Sequence, residues 1–352
     1  MGSGRQARSG QPCRCHRAPT AASIVPLLLV LWVGAALLAS TCRPASAAEP
    51  AARTWAVSAH WENDAAVGDD RHYTNGTALS LSHTGQSWAD PLFDRLPWRG
   101  GRRTVSYTLG QGMFTPEQTD RAIPDPTDRP YAGVLDFSLG LHLDRENRHH
   151  GLKLTLGIVG PWALAGETQR EVHHLLNTTS LPEGWDSQLR NEPILNLMYE
   201  HRRKIRLAGR DDGWAAEAIP VVGIMAGNLR SLGYLGGQVR LGYRIPDDFG
   251  VTLLREMGDL PPPRPRAAAG LGVFLHGGVG GSLVLHDLTL DGNTVKESPS
   301  VDKKPWVPSA MVGMGIGNPH FLATFSLIFS GREFDGQRNA ARYGSLTFTG
   351  FF

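Results

Sequence analysis

Apolar and polar residues alternate with a period of two along most of the chain after residue 50. Leu135, Phe137, Leu139, Leu141 and Leu143 interleave with Asp136, Ser138, Gly140, His142 and Asp144. The same spacing runs through Leu152 to Ile158, through Val239 to Ile245 and, less cleanly, through Phe321 to Ser330. A strand sends successive side chains to opposite faces, so each segment has one apolar and one mostly polar face. Weaker segments follow the spacing at 55–61, 77–83, 105–111, 194–201, 215–223, 271–280, 309–317 and 343–352, with 282–290 ambiguous. The pattern predicts about twelve strands of roughly ten residues each, an even number that suits a membrane barrel. One stretch has no alternation. Residues 161–177 begin with Pro161, are rich in Ala, Leu, Glu and Gln, and predict a helix between two strands. There is no internal repeat and no domain boundary.

Composition changes this picture at the N-terminus. Cys13, Cys15 and Cys42, five arginines and no acid fall within residues 1–47. A basic front, an apolar run over 24–39 and Ala45-Ser46-Ala47 read as a cleavable secretory signal, leaving one domain over 48–352. A lipid-anchored reading through Cys42 is disfavoured by the poor match of Thr41 before it. Removing the leader turns the formal charge from +2 to −3 and leaves no cysteine. A thiol-free chain has no disulfide scaffold, zinc–cysteine site or cysteine nucleophile, and a mildly acidic one does not suit general nucleic-acid binding. Past the leader, no run of 18 apolar residues predicts a membrane helix. A soluble β-sandwich would alternate in the same way. The leader, the strand lengths and the terminal Phe352, which closes an alternating strand, favour the barrel. The expected fold is therefore all-β: a transmembrane antiparallel barrel with a short helix in an extracellular loop.

Four polar clusters could carry chemistry. Trp61-Glu62-Asn63-Asp64, with 68–76 beyond it, offers the hard oxygens that calcium prefers; the alternative is a polar hairpin loop with Asn75-Gly76 as its turn. His173 and His174 point to different sides of the predicted helix, and a histidine there could serve as a general base or simply pack. The segments 112–133 and 182–192 bring Arg and Trp residues that suit a phosphorylated glycolipid at an interface, or loop structure alone. No H-E-x-x-H or G-x-S-x-G motif is present.

Taken together, W-E-N-D, D-R-x-Y-T-N-G, G-Q-x-M-F-T-P, D-R-P-Y-A-G, Q-x-x-V-H and G-W-D-x-Q-L-x-N-E-P resemble the outer-membrane lipid A 3′-O-deacylase family. Gly227-Asn228 and the end Phe351-Phe352 fit as well, and the resemblance spans residues 54 to 352. It implies a twelve-stranded barrel that hydrolyses an ester-linked acyl chain of lipid A with Ca2+. It also implies a catalytic set of His173, Asn63, Asp64 and Thr74, with Asn63 and Asp64 near the metal. Arg121 falls near a position that can carry lysine, and Arg121, Arg129 and Tyr131 are the expected substrate contacts. Thr178 or Thr179 stands at a downstream acidic position of the family; Glu183, nearby, is the third expected metal ligand. The implied partners are lipopolysaccharide and, through Phe352, the barrel-assembly machinery, in the bacterial outer membrane. An outer-membrane phospholipase and a non-catalytic pore are the alternatives.

Overall fold

The computed structural model describes residues 54–64, 72–98, 100–176, 182–251, 253 and 270–352. The expected leader and the polar stretch 68–71 lie outside the described residues. The chain forms β1 (Trp55–Asn63), β2 (His72–Thr84), α1 (Asp90–Phe93), β3 (Arg102–Thr115), β4 (Ala132–Arg145) and β5 (Arg148–Val159). The helix α2 (Ala165–Leu176) follows, then β6 (Glu192–Arg203), β7 (Ile205–Gly209), β8 (Trp214–Gly227), β9 (Arg230–Tyr243) and β10 (Gly272–Asp287). The turn α3 (Leu288–Asp291), β11 (Trp306–Gly317), β12 (Phe321–Ser330) and β13 (Ala341–Phe351) complete it. All neighbours are antiparallel, and β1 pairs with β13, Ala59 facing Phe348, so the sheet closes on itself. β8 pairs with β6 and then with β7, which makes β6 and β7 one wall strand broken at Lys204. The barrel therefore has twelve strands. Closure pairs every edge, which a sheet in hydrocarbon requires.

Alternation sorts the side chains as the sequence predicts. Leu79, Leu109 and Phe137 face outward and are exposed, where a bilayer would cover them. Between them Ser80 bonds Thr108 at 2.8 Å and Ser138 bonds Thr155 at 2.8 Å inside the lumen. The predicted helix is present but begins later: residues 161–163 form a 3-10 turn, and Leu164, left-handed at φ 57°, joins it to α2. The ambiguous 282–290 stretch is the end of β10 followed by α3.

The lumen is obstructed at both ends. At the end that carries the chain's C-terminus, residues 245–251 fold inward from the β9–β10 connection. Gln238 Oε1 accepts from Val251 N at 3.1 Å, and Arg202 donates to the Phe249 carbonyl at 3.2 Å. Arg240, fully buried, pairs with Glu217 through Nε at 2.7 Å and with Asp248 of the inserted segment. At the other end Leu288, Tyr73, Phe114 and Tyr343 pack together across the opening. Removing one member of a buried ionic group strands the others and costs about 3–5 kcal/mol. Arg240→Ala should lower the unfolding midpoint in detergent micelles accordingly, read by loss of heat-modifiable mobility. The exposed Arg210→Ala should leave it unchanged.

Candidate active site

The site is built on the outer face of the wall, where β1 to β4 reach the rim opposite the chain's C-terminus. Register aligns outward residues in rows across the four strands. The rim row is Asn63, Asn75, Met113 and Gly133; the next row down is Trp61, Thr77, Gln111 and Leu135. Asn75-Gly76 is therefore not a turn, as local dipeptide chemistry suggests, but part of β2. A bulge between Tyr73 and Asn75 inserts Thr74 as an extra residue. The bulge breaks the alternation. Thr74 would otherwise share the inward face of Ala78 and Ser80; instead its hydroxyl meets that of Thr115 at 2.6 Å. Asn63 Nδ2 donates to the Thr74 carbonyl at 2.8 Å and ties β1 to the bulge. Behind this row, inside the wall, Tyr73 donates to Glu62 at 3.0 Å and Ser345 does so at 3.2 Å. A side chain at Gly76 would collide with the Tyr73 hydroxyl, so the small residue there is needed.

The helix α2 lies over the same face, touching β4 and β3. Gln111 Nε2 donates to the Ala163 carbonyl at 2.7 Å, holding the 3-10 turn to the wall. A Cβ at Gly133 would stand 2.5 Å from that of Ala165, so the wall gives way where the helix starts. Met113, Tyr131, Ala165 and Trp185 form a small core under the helix. Trp185 Nε1 donates to Gln169 Oε1 at 2.7 Å. Ala165, Gly166 and Gln169 make the buried stripe of α2; His173, one turn beyond Gln169, continues it and is half-buried, whereas His174 is exposed.

The structure thus brings Asn63 and Thr74 into direct contact, and it buries Asp64, the residue after Asn63, at 1% exposure. It places the other expected residues differently. Arg129 is 0% exposed, bonded to Thr289 at 3.0 Å, paired with Glu333 at 3.3 Å and stacked 4.7 Å from the Phe114 ring. Tyr131 is also 0% exposed, under Trp185, its hydroxyl donating to the Thr119 carbonyl at 3.3 Å. Burial removes both from the side chains able to touch a substrate; they hold the loops to the barrel. Arg121 is exposed on the β3–β4 loop, and its carbonyl lies against Gly184. That loop is locked nearby by Asp128, which accepts from Glu117 N and Arg129 N at 2.7 Å each. Burial nevertheless raises the Asp128 carboxyl above its ordinary range.

Glu183 is exposed at the start of the 184–187 turn, its N–H bonded to the Thr119 carbonyl at 2.9 Å. Among the described residues no three His, Cys, Asp or Glu side chains gather into a metal-holding group. Among the described residues, what the rim offers a cation besides the Asp64 carboxylate is amide, hydroxyl and backbone oxygen. A buried carboxylate next to an asparagine amide is the hard-oxygen chemistry that suits calcium. Thr115 was missed as a site element in the sequence, because its motif read as loop structure; Asn75, within the stretch 68–76 read as offering hard oxygens, has a buried Oδ1 that accepts no hydrogen bond among the described residues.

A model of the family described as outer membrane protein LpxR matches residues 31–352. The chain belongs to the LpxR family. It is an outer-membrane protein of that type. The solved structure of LpxR from Salmonella typhimurium is similar at a TM-score of 0.68 and 22% identity, over 85% of this chain and 100% of that one. Looser likeness extends to the β-domain of the Bordetella autotransporter BrkA, with a TM-score of 0.38 and 12% identity over 85% of this chain and 98% of that one. The translocator domain of NalP from Neisseria meningitidis gives 0.37 and 8% over 94% and 97%. No curated protein matches the chain by sequence.

Proposed function

We propose that this LpxR-family barrel is a lipid A 3′-O-deacylase that hydrolyses an acyl ester at the notch between α2 and the outer wall. The observation that carries the reading is the two-row arrangement of the outer face. Polar residues occupy the rim, and directly below them a groove of about 450 Å³ is lined by Ala59, Trp61, Thr77, Leu79, Leu109, Gln111 and Leu135. A substrate anchored in the outer leaflet could keep its chain in that groove while its ester reaches the rim. Phosphorylated glycolipid is the ester-bearing substrate such a position favours.

His173 is the base in this reading. The helix rises roughly 1.5 Å per residue, so His173 lies about 12 Å along α2 from the docking point on β4. That equals two to three strand spacings of about 4.8 Å, the span from β4 to the β1–β2 rim that this reading requires of α2. His173 takes a proton from water as its oxygen attacks the ester carbonyl carbon. Collapse of the tetrahedral intermediate breaks the acyl C–O bond, and the same proton passes from His173 to the leaving alkoxide. Asn63 and Asp64 would hold calcium, which when bound supplies positive charge against the developing oxyanion. The Thr74 hydroxyl, fixed by Thr115, orients water or a neighbouring ligand. Arg121, exposed on the β3–β4 loop, would meet a phosphate of the substrate.

The two alternatives separate cleanly. A passive pore needs an open lumen, and the described residues obstruct both ends; reconstituted protein should give no steady conductance in planar bilayers. A phospholipase would release fatty acid from phosphatidylethanolamine vesicles as fast as from purified lipid A; a deacylase of the proposed kind releases it from lipid A alone. Excess EGTA should stop that release, and added CaCl2 should restore it. Full turnover in EGTA would remove the metal from the account.

A further inference from the structure

We propose that Asn75, through its side-chain Oδ1, is a third oxygen ligand of the rim cation site, beside Asn63 and Asp64. The inference rests on the calcium reading above and names a residue to which that reading gives no part. Three observations carry it.

First, Asn63 and Asn75 are register partners on adjacent strands, and both point to the outer face. Directly opposed side chains on an antiparallel pair have Cβ atoms about 4.5–5.5 Å apart. Two amide oxygens held so can share one ion at the roughly 2.3–2.6 Å that calcium prefers. Second, the Asn75 Oδ1 atom is buried and accepts no hydrogen bond among the described residues. A buried carbonyl-type oxygen left in that state is costly unless something positive meets it. Third, the amino end of the Asn63 amide is committed to the Thr74 carbonyl at 2.8 Å, so its oxygen is at the opposite end of the amide. The bulge puts Thr74 and Asn75 on one side of the strand, and the buried Asp64 follows Asn63 directly at the end of β1.

The chemistry of this set is specific. One carboxylate and two amides are all hard oxygens, and the set carries a single negative charge. Calcium takes about six to eight oxygens, so three protein oxygens leave positions for water and for a substrate carbonyl. The β2 bulge is then the device that makes the site: it turns what would be an Asn-Gly hairpin corner into two consecutive outward residues. Soft or nitrogen-seeking ions gain nothing from such a set.

The test uses full-length protein in detergent micelles, with terbium as the probe and calcium as competitor. Trp61 stands on the same face one row below Asn63, close enough to sensitise terbium emission. Wild type should show sensitised emission that calcium quenches by displacement. Asn75→Leu, which keeps the size and removes the oxygen, should weaken terbium affinity at least tenfold. Asn75→Asp, which restores an oxygen, should bind as tightly as wild type or more so. Heat-modifiable gel mobility shows whether each variant is a folded barrel. If wild type binds and Asn75→Leu binds equally well, the inference falls and the calcium reading stands. If Asn75→Asp is as weak as Asn75→Leu while folded, Asn75 serves packing, and the inference falls. If wild type itself binds neither ion, the calcium reading fails and takes the inference with it.

Discussion

His173→Ala should reduce fatty-acid release from lipid A in mixed micelles by about a thousandfold, within the range of roughly 10²–10⁴ that a general base supplies. His174→Ala should stay within a few-fold of wild type. The two histidines are neighbours in sequence and share composition, charge and helix, so the contrast isolates direction. His173 continues the stripe of Ala165, Gly166 and Gln169 that faces the wall, while His174 is exposed on the other side of α2. His173→Ala should also leave the barrel intact, because the helix lies outside the closed sheet. An unchanged rate in His173→Ala, or equal losses in both variants, would assign the base elsewhere.

Gly133→Ala should cost activity by about a hundredfold without touching the base. The added methyl would stand 2.5 Å from Ala165 Cβ and 3.4 Å from Ala163 Cβ. The first of these is too close for two carbons, and the helix start must lift. Misplacement of a catalytic group by about 1 Å can cost on the order of a hundredfold. Because the clash is between two methyl groups, Ala165→Gly in the same chain should recover much of the loss. Contacting residues couple in this way, and independent ones do not. A Gly133→Ala variant with full activity would mean that the helix is not held to the wall where the structure puts it. A loss that Ala165→Gly does not relieve would point to the strand instead.

The strands were legible because a wall with one apolar and one polar face imposes a two-residue period on the sequence. Legibility fails where that cause is absent. All five residues of β7 are exposed beyond the break at Lys204, and the strand is so short that only Ile205, Arg206 and Leu207 alternate. The 282–290 stretch blurred because β10 shifts register between Val284 and His286 before turning into α3. Asn75-Gly76 misled for a related reason: a dipeptide that usually makes a hairpin corner here serves a bulge, and only the pairing with β3 reveals it. Arg129 looked like a surface cation in its motif. Its partner Glu333 lies 204 positions away, a separation that no local pattern can register. Motif resemblance singled out Asn63, Thr74 and His173, and the geometry shows where each stands. Asn63 ends β1, Thr74 is the bulge residue of β2, and His173 is two turns from the point where the wall receives the helix.

The family and the fold establish the kind of barrel; the reaction is the central claim. The measurement that tests it most directly is the mass spectrum of lipid A from a deletion strain, complemented with either the wild-type chain or His173→Ala. The account predicts that wild type removes the mass of the 3′-linked acyl group, and that the deletion and the His173→Ala strain both retain it. Identical spectra for the deletion and the wild-type complement, or a shortened lipid A in the His173→Ala strain, would contradict it.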